Sequence, residues 1–112
     1  MRNGRLWASL LGVEKTIVDR VELDEEQGLL IAHVRPARGQ QRRCGVCRRR
    51  CAGYDTGAGR RRWRALDLGT MVAVLEADAP RVCCGEHGVV VAAVPWARHG
   101  AGHTRFLDDQ VA

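Results

Sequence analysis

Two short turns constrain this chain more than any other feature: Cys44-Gly-Val-Cys47 and Cys84-Gly-Glu-His87. Each offers two soft or borderline ligands across a two-residue spacer, and four such ligands in a tetrahedron are what Zn²⁺ binds. The 36 residues between the pairs are too many for a compact finger and suit a ribbon with a β-insertion. A shared ion would staple segments that are far apart in sequence. The chain needs a staple, because its 112 residues include only three Trp, one Tyr and one Phe. Val, Leu, Ile and Ala must supply most of the core.

Cys44 and Cys47 form the stronger pair, since backbone amides of a C-x-x-C turn stabilise thiolates, and Cys84 with His87 repeats that geometry with one imidazole. Cys51 and Cys83 compete. Cys51 lies four positions past Cys47 and could replace it, although Arg48 to Arg50 would then crowd the turn. Cys83 should point away from Cys84 if residues 81–84 form a strand, because successive side chains alternate faces. A finger that recruits His99 and His103 is an alternative with a long gap and flexible glycine flanks. A redox role for C-x-x-C lacks the surrounding βαβ pattern and leaves the second half-site unexplained. The five cysteines cannot pair completely. No leader-like segment opens the chain and no stretch is long enough to span a membrane, so the expected home is a reducing cytoplasm where cysteines act as ligands.

The net charge of +5 conceals a stronger asymmetry. Residues 35–64 hold eleven Arg against one acid, Asp55, a local charge of +10, whereas the rest of the chain sums to −5. Seventeen Arg against one Lys reads as a GC-rich coding bias; the bias accounts for the choice of Arg but not for its clustering. A compact basic block points to a polyanion, with double-stranded DNA as the expected partner. The candidate nucleic-acid contacts are Arg42, Arg43, Arg48, Arg49, Arg50, Arg60, Arg61, Arg62 and Arg64.

Residues 5–11 predict a short helical turn that Gly12 ends. Residues 16–24 and 29–34, on either side of Glu25-Glu-Gln-Gly28, predict an antiparallel hairpin spanning 14–35. His33 falls on its second strand and reads as structural. Residues 36–43 form a polar loop into Cys44, residues 52–59 are Gly- and Asp-rich, and further strands are expected over 71–77, 81–84 and 89–94. Thr104 predicts an N-cap, with Asp108 and Asp109 in the early turns and Phe106, Leu107 and Val111 on one stripe. The expected architecture is a small mostly-β zinc ribbon-like domain with antiparallel strands, a short N-terminal helical turn and the start of a C-terminal helix. Residues 1–97 make the β-domain; 98–112 are a linker and helix start leading to a domain outside the chain.

The ordered motifs Cys44-x-x-Cys47, Gly53-Tyr-Asp55, Arg62-Trp-Arg-Ala-Leu-Asp67, Arg81-Val82, Cys84-x-x-His87-Gly88, Val94-Pro-Trp-Ala97 and Thr104 resemble the N-terminal zinc-finger region of ISL-three-type bacterial transposases. The resemblance covers nearly the whole chain. It implies Zn²⁺ held by Cys44, Cys47, Cys84 and His87. It also implies a helix-turn-helix segment and a ribonuclease-H-like catalytic domain with an acidic triad further along, neither of which fits within 112 residues. The sequence departs from the family at Cys83, where a non-Cys residue is usual, and at Gly85, where Pro is common. Without an acidic triad to hold two metal ions, the chain is expected to bind DNA or assemble the transposition complex rather than to be an enzyme. The expected protein partners are a transposase catalytic subunit or a second copy of the chain. Two other readings are a zinc-stapled protein-interaction module and an RNA-associated zinc ribbon.

Overall fold

A computed structural model describes residues 3–105 and Leu107. One helix, α1 (Gly4–Leu11), precedes seven strands: β1 (Thr16–Asp24), β2 (Leu29–Pro36), β3 (Ala52–Asp55), β4 (Arg60–Arg64), β5 (Val72–Asp78), β6 (Arg81–Cys84) and β7 (Gly88–Val91). The strands make two sheets, ordered β1-β2-β5-β4 and β3-β6-β7. This is the small mostly-β ribbon the sequence predicts, with its short N-terminal helix.

α1 stops where expected. Gly12 takes the left-handed conformation (φ 68°), its N–H reaches Ser9 O (3.2 Å), and Val13 N–H reaches Ala8 O (3.0 Å). Those two bonds are the Schellman pattern, and glycine enters it without a Cβ penalty. The helix buries Leu11 and rests Trp7 and Ala8 on the core, leaving Leu6 and Leu10 outward.

The β1–β2 hairpin pairs Thr16 with Pro36 and runs to Asp24 with Leu29, with an irregularity between Val18 and Arg20. Its turn is held by Gln27 N–H on Asp24 Oδ1 (3.2 Å) and by Gly28 at φ 63°. β5 then joins β2 in parallel, Leu29 beside Val72 and His33 beside Glu76, while the other four strand pairings are antiparallel. A parallel pair needs a long crossover, and here the crossover carries the first cysteine turn, β3 and β4. Leu30, Ala32, Val34, Trp63, Ala73, Leu75 and Ala77 fill one face of this sheet, covered by Leu11 and by Trp96 and Ala97. Trp63 and Trp96 meet edge to face, centroids 5.3 Å apart at 79°. Trp96 Nε1 is buried without an acceptor among the described residues.

The opposite face carries a ladder of charge. His33, 7 % exposed, lies within 2.7 Å of Glu22 through Nε2, and Arg60 donates to its Nδ1 at 2.9 Å. The same Nδ1 lies 3.2 Å from Glu76 Oε2, so the ring is shared by two carboxylates and a guanidinium. Glu76 continues the ladder to Arg62 (3.0 Å) and Arg60 (3.4 Å), and Arg60 reaches Asp78 (3.2 Å). The histidine is structural, as expected: it lets a buried polar position on β2 join strands β1, β4 and β5.

Between β5 and β6, Ala79-Pro80 moves the chain from one sheet to the other. Pro80 has no N–H for a ladder, but its carbonyl still accepts from Ala92 (2.9 Å). Two segments differ from the sequence reading. The Gly/Asp-rich 52–55 is strand β3, and the arginine run 60–64 is strand β4. β3 is exposed at all four positions, so no burial period marks it. β7 also ends at Val91, after which Ala92 bridges to Cys44. Past Trp96 the chain returns to β4: Thr104 N–H donates to Arg64 O (2.8 Å), and fully buried Thr104 caps Leu107 N–H through Oγ1 (3.2 Å). That is the predicted N-cap. Phe106, Asp108, Asp109 and Val111 lie outside the described residues.

Candidate metal centre

The first half-site is a turn between two paired arms. Arg43 bridges to Arg50, Cys51 N–H donates to Arg42 O (2.7 Å), and Cys44 N–H donates to Arg49 O (2.8 Å). The arms hold Cys44 and Cys47 on one side of the turn, and Val46 N–H donates to Cys44 Sγ (3.3 Å). The second half-site is the β6–β7 turn, where Cys84 pairs with Gly88 and Gly88 sits at φ 73°. The Cys44–Ala92 bridge and Ala93 N–H on Arg43 O (2.8 Å) bring the two turns together.

Cys44, Cys47, Cys84 and His87 converge so that their four ligand atoms lie within 4.8 Å of one another. Cys47 Sγ and Cys84 Sγ are 3.8 Å apart; His87 Nδ1 is 3.6 Å from Cys84 Sγ and 3.7 Å from Cys44 Sγ. A tetrahedron with Zn–S near 2.3 Å and Zn–N near 2.0–2.1 Å has S–S edges of about 3.8 Å and S–N edges of about 3.6 Å. The donor set therefore fits a zinc ion in both chemistry and spacing. Cys44 and Cys84 are buried, Cys47 is half-buried and His87 is exposed, with Nδ1 turned to the thiols.

Backbone donors favour thiolate at this point. The N–H groups of Glu86 and then His87, followed by the His87 ring, lower the Cys84 pKa to about 6. Cys44 is also lowered, chiefly by the Cys47 N–H. For Cys47, the Arg49 N–H pulls the same way, but burial and the neighbouring Cys44 and Cys84 sulfurs outweigh it and the pKa rises. The Cys84 thiolate in turn raises His87. A cation bound among these groups would replace the shared protons.

The competing thiols stand outside the cluster. Cys83 is exposed, on the face opposite buried Cys84, as strand alternation predicts. Cys51 is half-buried, donates to Arg49 O (3.2 Å), and has its pKa raised by burial first and the Cys84 sulfur next. His103 bridges to Arg64 on β4. His99 is not among the four converging residues, yet its ring packs on the first turn: a Cβ built on Gly45 would meet His99 Cε1 at 2.2 Å and Val91 O at 2.6 Å. Sequence reasoning missed this contact; the small residue inside C-G-V-C was its only trace.

The nine candidate arginines divide sharply. Arg43 donates to Gly39 O (2.8 Å) and Arg48 O (3.0 Å), and Arg49 lies 3.6 Å from Glu86. On β4, Arg60 and Arg62 are in the charge ladder, Arg64 pairs with Asp67 (2.8 Å), and Arg61 stacks 4.7 Å over Trp63 while donating to Ala101 O. Arg42, Arg48 and Arg50 are exposed and make no side-chain hydrogen bond or ion pair with a described residue. Arg38 shares that condition and was not among the sequence candidates.

Residues 40–87 match the family described as the zinc-finger of transposase IS204/IS1001/IS1096/IS1165. That match agrees with the resemblance to the zinc-finger region of ISL-three-type transposases. The chain is 53 % identical, over its whole length, to the transposase for insertion sequence element IS1557 of Mycobacterium tuberculosis, in strain CDC 1551 / Oshkosh and in strain ATCC 25618 / H37Rv. It spans 26 % of the length of those relatives. No solved structure matches it significantly. The site is thus a Cys₃His metal site in a zinc-finger family.

Proposed function

We propose that this chain is a non-catalytic zinc-binding module of a transposase that holds double-stranded DNA or assembles the transposition complex. Cys44, Cys47, Cys84 and His87 would hold one Zn²⁺ with no position left open, which makes the metal a structural tie and not a Lewis acid. We read residues 1–97 as the working unit, with the segment that follows tied to β4 through Gly102 and Thr104. The observation that carries the DNA reading is the set of exposed guanidiniums without a partner among the described residues: Arg42, Arg48 and Arg50 around the first zinc turn, and Arg38 in the loop that leads into it. Free guanidiniums meet phosphates; those already neutralised on β4 have less to gain. Arg43, Arg49, Arg60, Arg61, Arg62 and Arg64 then shape this surface from behind. No described helix is long and apolar enough to cross a membrane, and a cytoplasmic setting suits reduced thiol ligands.

The test is fluorescence anisotropy with the zinc-loaded chain on duplex DNA against a folded RNA of equal length. Salt-sensitive binding that favours the duplex supports this reading; preference for the RNA would assign the ribbon to RNA. A protein-interaction role has its own observation, the exposed Tyr54, Val89 and Val91 on the three-stranded sheet. They would face a transposase catalytic subunit or a second copy of the chain, with affinity insensitive to salt.

A further inference from the structure

A cavity of about 350 Å³ opens where the two sheets meet. Its floor is apolar, built from Val34, Ala77, Pro80, Ala93 and Val94, and its rim carries Arg35, Arg42 and Arg60. Two of those arginines are already balanced: Arg35 Nε lies 2.9 Å from Asp19 and Arg60 3.2 Å from Asp78, both aspartates also on the rim. Arg42 is exposed and has no side-chain partner among the described residues. The mouth therefore has one uncompensated positive charge beside an apolar slot.

That combination selects a small group with apolar surface and a single negative charge. A base pair within a stacked duplex cannot enter a slot of this size, which sits near the lower end of the ~300–1,000 Å³ range of small-ligand sites. One nucleotide can. An unpaired or terminal nucleotide also leaves its stack at least cost. The two rim carboxylates keep lone pairs free for base N–H groups, and Gln41, whose Nε2 donates to Pro36 O (3.4 Å), also lines the cavity. We propose that this cleft binds a single unpaired nucleotide, its base on the Ala93 floor and its phosphate on Arg42. The proposal deepens the DNA-binding reading above by naming the form of DNA that the module prefers.

Zinc-loaded protein is titrated with two otherwise identical duplexes, one fully paired and one with a single bulged 2-aminopurine nucleotide. The bulged duplex should bind about tenfold more tightly, and the 2-aminopurine emission should change on binding. Arg42→Gln should remove the preference, whereas Arg48→Gln should weaken both duplexes equally. Ala93→Leu, which fills the floor, should also remove the preference and the emission change; because it alters a buried position, the exposed Arg42→Gln is the variant that decides. Free deoxyadenosine monophosphate is the second probe. Shifts of the Arg42 and Ala93 amide resonances at millimolar nucleotide support the slot even if no duplex binds. Equal affinity for both duplexes, with unchanged emission and no nucleotide-induced shifts, overturns the proposal while leaving duplex binding intact. Failure of both duplexes to bind, with nucleotide shifts present, sinks the DNA reading and keeps the slot.

Discussion

Replacing Arg42, Arg48 and Arg50 together by Gln removes three of the exposed guanidiniums that have no partner among the described residues. If each meets one phosphate, each contributes about 0.9 to the slope of log K against log[salt], so the triple variant should lose about 2.7 units. Between 50 and 200 mM salt, the wild-type chain should therefore lose about fortyfold more affinity than the variant does. The control is Arg60→Gln, Arg62→Gln and Arg64→Gln combined. Those side chains lie 2.8–3.4 Å from Asp67, Glu76 and Asp78, so few DNA counterions depend on them and the slope should fall by less than about one unit. The control should instead melt at lower temperature, because half-buried Glu76 loses both of its arginine partners. Anisotropy titrations of one labelled duplex at five salt concentrations give both slopes. Equal slope losses from the two triples, or an unchanged slope from the first, would refute the division of these arginines into free and internally neutralised sets.

Elemental analysis should find one zinc per chain; Cys44→Ser or Cys84→Ser should lose it and unfold in chelator, whereas Cys51→Ser and Cys83→Ser should keep it. Gly45→Ala should cost about 1–3 kcal/mol in thermal or denaturant unfolding. Adding His99→Ala should restore only part of that, because the Val91 carbonyl 2.6 Å from the new Cβ is backbone and cannot turn away. Glu76→Gln should cost about 1–3 kcal/mol at neutral pH. Its carboxyl is held below the usual carboxylate range, first by Arg62 and then by His33 and the charges around it. A depressed folded pKa stabilises above the unfolded value and is lost as pH falls through the folded one. The gap between wild type and variant should thus be full above about pH 5 and close in stronger acid, as melts from pH 7 to 3 would show. Finally, the purified chain with Mg²⁺ or Mn²⁺ should leave labelled DNA uncut; cleavage abolished by an acidic-residue substitution would overturn the non-catalytic reading.

The metal site was the most legible part of the sequence because its information is local. Two ligands on a two-residue spacer can only sit on one side of a turn, and strand alternation alone was enough to prefer Cys84 to Cys83. The α1 stop at Gly12 and the Thr104 cap were legible for the same reason: each is decided within a few residues. What the sequence hid was the pairing of distant neighbours. Nothing in the apolar run 72–78 says that it lies parallel to β2, since a buried strand reads alike in either direction. β3 has no buried position and therefore no period. Most consequential for function, a sequence counts charges but not their partners. Arg60 to Arg64 looked like the densest part of a basic surface, yet every second residue of β4 faces Glu76, Asp78 or Asp67 across or along the sheet. The acids Glu76 and Asp78 lie 14 to 18 residues downstream of the arginines they neutralise, outside any local window of charge. The sheet thus consumes the arginines of β4 in holding itself together and leaves Arg42, Arg48 and Arg50 around the first zinc turn without a side-chain partner among the described residues. In a chain with so few aromatics, that division assigns one part of the basic block to the fold and the other to whatever binds it.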